Sequence, residues 1–194
     1  MEACRDISVG VLHVLAGELG ELRVCDPLGG AGVRGLRYAK EVKEAREVVI
    51  NDLSKEAFKM IERNVALNSL TNVLVRNEDA NVLLRSDRRR FHVVDLDPFG
   101  SPAPFLESAC SSLLRGGILA VTATDTAPLS GTYPKACLRK YGARSIRTEY
   151  GHELGIRILI GFCQRVGGIH ELALLPILSH ATRHYFLSLI HISE

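Results

Sequence analysis

Apolar positions along the chain recur with two periods that take turns, and this succession predicts the architecture. Residues 7–17, ISVGVLHVLAG, recur at helical spacing, and LRVCD at 22–26 is a short apolar run that predicts the first strand. A helix opening on glycines follows over 32–42, GVRGLRYAKEV, then a second strand over 47–52, EVVIND. SKEAFKMIERNVALN, 54–68, predicts a helix capped by Ser54. TNVLVRNEDA, 71–80, supplies a third strand and FHVVDLD, 91–97, a fourth. A helix over 103–114, APFLESACSSLL, leads to a fifth strand over 116–125, GGILAVTATD. Beyond these, HELGIRILIGFCQRV at 152–166 predicts a helix and IHELALLPIL at 169–178 a sixth strand. Strand and helix alternating in this way predict an α/β fold: a Rossmann-like, doubly wound, mostly parallel sheet with helices on both faces. No internal repeat, low-complexity tract or linker interrupts the pattern.

Composition narrows the setting. The chain has 194 residues, enough for one domain with a sizeable core, and 46% of them are hydrophobic. No apolar run reaches the roughly 18 residues of a membrane span and no signal peptide is recognisable, so a cytoplasmic protein without a membrane partner is expected. Cys4, Cys25, Cys110, Cys137 and Cys163 are odd in number and widely spaced, which speaks against a disulfide framework and a zinc site; no metal is expected. A formal net charge of +2 leaves any nucleic-acid affinity to local patches. Arg85 with Arg88, Arg89 and Arg90 is one candidate. Lys135, Arg139, Lys140, Arg144 and Arg147, interleaved with Tyr133 and Tyr141, is the other.

Candidate chemistry gathers at strand ends. DPLGGAGVRG holds Gly30-x-Gly32-x-x-Gly35 between a strand and a helix, and Asp52 stands at the end of the second strand. Glycines let a backbone approach a ligand at a helix N-terminus, and an acid there can accept from both ribose hydroxyls. Both features fit NAD as well as S-adenosyl-L-methionine. The third strand separates the two. Its end, Glu78-Asp79-Ala80, can bond the exocyclic amine and ring edge of adenine. Asp26, Asp52, Asp79 and Asp97 then place an acid after each of four successive strands. That layout suits a sulfonium cation and would repel a diphosphate, so it predicts a class I methyltransferase. A helix N-cap is the plainer role for one or two of these acids.

VVDLDPFGSP, 93–102, fits that frame. Asp97-Pro98-Phe99-Gly100 resembles the acidic, proline and aromatic motif of amino methyltransferases. A base-conjugated amine is a poor nucleophile. The Asp97 carboxylate and the Pro98 carbonyl can accept its two hydrogens and leave the lone pair aimed at the methyl group, while Phe99 stacks on the base.

Longer blocks carry a closer likeness. RVCDPLGGAGVRGLRYA, NDLSKEAFKMIERNVALN, DLDPFGSPAPFLESA, TATDTAPLSGTYPKACLRKYGA and HELGIRILI resemble successive segments of the tRNA (guanine-N2)-dimethyltransferase family that modifies guanosine 26. The resemblance runs from about Arg5 to Phe186. It implies methyl transfer from S-adenosyl-L-methionine to the guanine N2 of tRNA, giving N2,N2-dimethylguanosine. Residue by residue, it implies that Arg5 and Arg34 hold the cofactor together with Asp26, Gly30 and Gly32. Asp52, Asp79 and Ala80 then hold ribose and adenine, and Asp97 is the catalytic acceptor. Lys135, Arg139, Lys140 and Arg144 become the expected tRNA contacts.

Departures from the family matter as well. Only MEAC stands where the family carries a segment that closes over the cofactor, and the C-terminal tRNA-gripping domain is missing, so the last strand is expected to be incomplete. His152, Glu153 and Arg157 lack the second histidine of a zinc HExxH motif and are expected on a helix surface. Residues 1–186 are thus expected to form the methyltransferase domain. LSLIHISE, 187–194, resembles the translation of a sequencing-library adaptor and is expected to be non-native, yet able to pair as an edge strand. Two rivals stay open: an NAD(P)-dependent oxidoreductase built on Gly30, Gly32, Gly35 and Asp52, and an inert remnant that binds cofactor or RNA without turnover. One versus two methyl groups, use of a neighbouring guanosine and oligomeric state are not decided by the sequence.

Overall fold

A computed structural model describes residues 2–193. Its strands are β1 (Leu22–Asp26), β2 (Ala45–Asn51), β3 (Val73–Arg76), β4 (Phe91–Leu96), β5 (Leu113–Ala123), β6 (Ala173–Ala181) and β7 (Phe186–Ser193). They form one sheet in the order β3-β2-β1-β4-β5-β7-β6. β7 runs antiparallel to both neighbours, and the other strands share one direction. The helices are α1 (Glu2–Leu19), α2 (Val33–Glu41), α3 (Lys55–Leu67), α4 (Ala80–Ser86), α5 (Leu106–Ser112), α6 (Thr126–Leu129), α7 (Pro134–Tyr141) and α8 (Gly151–Ile169), with a 3-10 turn at Ala103–Phe105.

The central strands are apolar on both faces, and the two-residue period sorts their side chains into two cores. Val24, Val48, Ile50, Val93, Ile118, Ala120 and Leu189 meet Leu12, Leu15, Leu36, Tyr38 and Ile61 of α1, α2 and α3. Cys25, Val49, Val94, Leu96, Leu119, Val121 and Ile190 face the other way, onto Leu84, Leu106, Leu159 and Cys163 of α4, α5 and α8. The doubly wound prediction therefore holds, with its helices divided between the two faces.

Two expectations are corrected, and two helices were not foreseen. The third strand was expected to run to Ala80, but β3 ends at Arg76. Asp79 is instead the N-cap of α4, accepting from the backbone N–H groups of Asn81 and Val82. This four-residue strand sits at the sheet edge with only alternate positions partly covered, so nothing extends it. The TATD block also holds two helices, α6 and α7, that apolar periodicity did not reveal; Pro134 opens α7 and Gly142, at φ 64°, caps its end. Finally, the last strand is not at an edge. β7 lies between β5 and β6, pairing from Phe186 opposite Ala123 to His191 opposite Ile118 on one side, and from Phe186 to Ser193 on the other. Phe186, Leu187, Leu189, Ile190 and Ile192 are all fully buried. An apolar segment on both faces satisfies an interior position, and the buried Ser188 hydroxyl is met by that of Ser179.

Candidate functional site

The strand order reverses between β1 and β4, and open α/β sheets bind ligands at such a point, beyond the carboxyl ends of the strands. A cleft of about 440 Å³ lies there. It is lined by Leu28, Gly29 and Gly30 after β1, Asp52 after β2, Asp97, Pro98 and Phe99 after β4, Phe105, and Thr124 after β5. The glycine turn is pressed onto Ile50. A Cβ on Gly35 would stand 2.6 Å from the Ile50 Cγ1, whereas the space around Gly30 is open, so backbone there can meet a ligand. Gly32, at φ 78°, turns the chain into α2.

Asp52 braces this turn. Its Oδ2 accepts from Gly30 N at 2.8 Å and its Oδ1 from Ser54 N at 2.9 Å, and each oxygen keeps a second lone pair for a ligand hydroxyl. Asn51, fully buried beside it, ties three strand ends together. Its amide nitrogen donates to the carbonyls of Pro27 and Glu78, and its carbonyl oxygen accepts from Glu78 N. Sequence reasoning missed Asn51, although a polar residue closing an apolar strand just before Asp52 was its signal.

Asp95 and Asp97 are separated by one residue, so both point to the α1–α2 face of the sheet. One guanidinium reaches both. Arg34 Nη1 lies 3.0 Å from Asp95 Oδ2 and 3.0 Å from Ser8 Oγ, and Nη2 lies 2.7 Å from Asp97 Oδ2 and 3.3 Å from Cys4 Sγ. The Tyr38 hydroxyl also donates to Asp95 Oδ2. Arg34 is 5% exposed and Asp95 is wholly buried. Burial opposes the guanidinium charge, but Asp95 and Asp97 outweigh it and raise the Arg34 pKa further. Burial pushes Asp95 above the usual carboxylate range against the pull of Arg34. Burial, with Asp95 close by, pushes Asp26 up to about 7. Asp97 differs from these neighbours: it is 22% exposed and opens on the cleft.

The loop after β4 is stapled to the end of β5. Gly100 N donates to Thr124 Oγ1 at 2.7 Å, and its carbonyl accepts from Thr124 N and Asp125 N. Asp125 in turn accepts from the Tyr141 hydroxyl at 2.6 Å and from Lys140 Nζ at 2.8 Å. Phe99 stands at the rim, fully exposed.

The candidate residues divide accordingly. Gly30, Asp52, Asp97, Pro98 and Phe99 line the cleft. Asp26, expected near the cofactor, is instead buried beneath the glycine turn, where its Oδ2 accepts from Gly35 N at 3.1 Å. Arg34, expected among the cofactor ligands, is turned inward by its four side-chain acceptors. Asp79 keeps to the N-cap of α4 and Ala80 to its first turn. Arg5 is half-buried on α1 and makes no hydrogen bond or ion pair among the described residues. Lys135, Arg139 and Arg144 are exposed, but Lys140 folds back on Asp125, and Tyr141 is buried, so neither belongs to that open surface. In the other basic cluster Arg85 pairs with Glu107, and Arg90 with Asp87 and Glu47. Arg157 pairs with Glu153 on the exposed face of α8. Among the described residues no group of His, Cys, Asp and Glu could hold a metal ion, and no helix is long and apolar enough to cross a membrane.

Comparison with known proteins matches residues 1–194 to the family described as N2,N2-dimethylguanosine tRNA methyltransferase. A tRNA (guanine(26)-N(2))-dimethyltransferase of Methanosphaera stadtmanae is 45% identical over 186 residues, 95% of this chain and 48% of its own length. One from Pyrobaculum calidifontis is 44% identical over 192 residues, 98% of this chain and 53% of its own. The chain thus spans about half the length of the curated relatives it matches. The solved complex of Trm1 from Pyrococcus horikoshii with S-adenosyl-L-methionine superposes with a TM-score of 0.90 at 40% identity, covering 98% of this chain and 54% of that one.

Proposed function

The chain belongs to the N2,N2-dimethylguanosine tRNA methyltransferase family, and on that premise we propose that it forms the cofactor-binding and catalytic part of a tRNA (guanine(26)-N2)-dimethyltransferase. The observation that carries this reading is Asp97. One of its carboxylate oxygens is pinned by Arg34, no protein donor among the described residues reaches the other, and the fully exposed Phe99 ring stands beside it. A flat base stacked on Phe99 would bring its exocyclic amine to the free Asp97 oxygen.

S-adenosyl-L-methionine fits the cleft. Open backbone at Gly30 can meet it, the spare lone pairs of Asp52 suit its ribose hydroxyls, and the carboxylate of Asp97 suits a sulfonium. When bound, it supplies a methyl carbon on a cationic sulfur that keeps the electron pair of the breaking bond and leaves as a neutral thioether. Asp97 accepts a hydrogen bond from the guanine amine and is placed to take its proton. The Pro98 carbonyl can accept the second amine hydrogen, so the nitrogen lone pair is left directed across the cleft. Arg5, near the start of α1 and without a hydrogen-bond or ion-pair partner among the described residues, is available for the cofactor's carboxylate.

The exposed face of α7 and the loop after it, Lys135, Arg139 and Arg144, is the proposed tRNA contact, and a cytoplasmic setting belongs to the same proposal. Reversing the charge of Arg139 and Arg144 should weaken tRNA binding and flatten its salt dependence, because phosphate contacts release counterions. An unchanged salt slope would return these arginines to a solvated surface.

The domain reading is proposed as residues 1–186 native and 187–194 adaptor-derived. The likeness of the last eight residues to adaptor translation supports it, and codons unlike the adaptor throughout that stretch would overturn it.

The test of function is mass spectrometry of nucleosides from tRNA incubated with the protein and S-adenosyl-L-methionine. The expected product is N2,N2-dimethylguanosine. S-adenosylhomocysteine binding without any methylated guanosine would establish an inert binder, and NADH binding in its place would establish an oxidoreductase.

A further inference from the structure

Resting on the proposed tRNA substrate, we infer that Tyr133 and Tyr150 form a stacking surface for unpaired RNA bases beside the cleft. Three Phe or Tyr rings stand open to solvent among the described residues: Phe99, Tyr133 at 60% and Tyr150 at 61%. All three belong to segments that follow the carboxyl ends of β4 and β5, the side on which the cleft opens. Phe99 belongs to the loop after β4. Tyr133 precedes α7, in the lobe that begins at Asp125, next to the cleft residue Thr124. Tyr150 precedes α8, which runs back to the start of β6.

The fold brings these two tyrosines to one turn although they are far apart in the chain. Gly131, at φ 89°, lies flat on the backbone at Ile146 and Arg147, where a Cβ would run into the Ile146 carbonyl and the Arg147 nitrogen. Gly151 rests against the same turn, its Cβ position 3.9 Å from the Ser130 Cβ. Tyr133 leaves this contact two residues after Gly131, and Tyr150 enters it one residue before Gly151. Each ring is carried on a fixed backbone. The Tyr133 carbonyl accepts from Ala136 N and Cys137 N, and the Tyr150 carbonyl from Leu154 N. Neither phenol has a hydrogen-bond partner among the described residues, so no bond within the fold accounts for either tyrosine.

Charge and ring chemistry together fit RNA. Residues 131–150 carry Lys135, Arg139, Lys140, Arg144 and Arg147 against a single acid, Glu149, and of these bases Lys140 is taken up by Asp125. Phosphates suit the remaining bases, and an open ring suits the face of a base. In a double helix those faces are covered by neighbours, so the tyrosines can meet only unpaired or splayed bases. The proposed chemistry produces such bases. Asp97 is recessed in the cleft at 22% exposure, so a guanine presents its amine there only after leaving its stack, and its neighbours lose a stacking face. Tyr133 and Tyr150 replace that face.

Tyr133→Ala and Tyr150→Ala should each weaken tRNA binding about fivefold or more, the lower end of what one lost base stack costs. The salt dependence should keep its slope because no phosphate contact is removed, in contrast to charge reversal at Arg139 and Arg144. Tyr133→Phe and Tyr150→Phe keep the ring and should bind within about twofold of the parent. Single-stranded oligoadenylate should show the same losses in the alanine variants, and a blunt RNA duplex should not. S-adenosylhomocysteine affinity and melting temperature should stay parental, since both rings lie outside the cleft lining; a fall in either would make the tyrosines structural and overturn the assignment. Parental tRNA affinity in either alanine variant would also overturn it, as would a shallower salt slope, phenylalanine variants as weak as the alanine ones, or equal losses on duplex and single strand. If the parent binds no tRNA, the functional reading fails and the oligoadenylate series decides alone; a parent that does not bind oligoadenylate either has no stacking surface.

Discussion

The two ends of the sheet order are built by different rules. At the switch point between β1 and β4, Arg34, Asp95, Asp97, Asn51 and Asp52 each have a particular partner at a particular distance. At the other end, β7 is held between β5 and β6 by backbone pairing and by burial of Leu187, Leu189, Ile190 and Ile192, where shape and apolarity suffice. The hydrophobic effect is non-directional, so a strand of suitable composition can occupy such a place whatever its history. A carboxylate pinned by a guanidinium has no such latitude. The difference teaches where substitution is tolerated: near-isosteric change should be severe in the first region and mild in the second.

The largest effect tests the first half of that contrast. Asp97→Asn keeps the shape of the side chain and removes its charge, and should lower turnover by about two orders of magnitude, the scale of losing one positioned electrostatic group. S-adenosylhomocysteine binding should survive, and the fold should be unharmed because Arg34 retains Asp95. Full turnover with Asn at 97 would place the amine acceptor elsewhere.

Asp26 carries the next effect, on stability. Its carboxyl holds a proton up to about pH 7 in the folded chain, against 3.8 for an unperturbed aspartate. The folded state therefore binds more protons between those values, and stability falls as pH rises through that window and levels off above it. Asp95, also raised, adds to the same slope. Asp26→Asn can still accept from Gly35 N, so it should flatten part of the slope and stabilise the protein above pH 7 by a few kcal/mol at most, about 1.4 kcal/mol for each pH unit of the shift. Thermal melts from pH 4 to 8 measure this; a slope equal to the parent's would mean that Asp26 is ionised in the fold.

Legibility in the sequence followed the same division. The central strands were readable because burial on both faces forces apolar runs, and α3 because Ser54 marks its start. Short α4 and α6 carry too few turns for an apolar period, and Asp79 was consequently assigned to the end of the third strand, whereas it caps α4. Asp97, Pro98 and Phe99 were legible as a contiguous motif. The Arg34 bridge was not: it joins α2 to Asp95 and Asp97, 61 and 63 residues on, and only the packing of α2 on β1, the strand beside β4, brings them together. Lys140 shows the converse, a basic residue in a basic run whose charge is taken up by Asp125.

A smaller effect belongs to the cofactor. Asp52→Ala removes the brace on Gly30 along with the proposed ribose acceptor, and should weaken S-adenosylhomocysteine about tenfold or more, the worth of bonds to a charged group. Calorimetry giving the parental affinity would move the ribose site away from β2.

The smallest effect tests the second half of the contrast. Leu189 lies on the α1–α2 face of β7 and Ile190 on the opposite face, both fully buried. Leu189→Met and Ile190→Leu conserve volume and apolarity, so each should cost less than about 1.5 kcal/mol in a denaturant melt. S-adenosylhomocysteine affinity should stay unchanged, because β7 contributes no residue to the cleft lining. Ser188 is the exception along this strand. Its buried hydroxyl is matched by Ser179, which is itself exposed and can turn to water, so Ser188→Val should cost only the net worth of one hydrogen bond, about 0.5–1.5 kcal/mol. If instead Leu189→Met unfolded the chain or abolished ligand binding, β7 would be as particular in its demands as the switch point, and composition alone would not account for its place in the sheet.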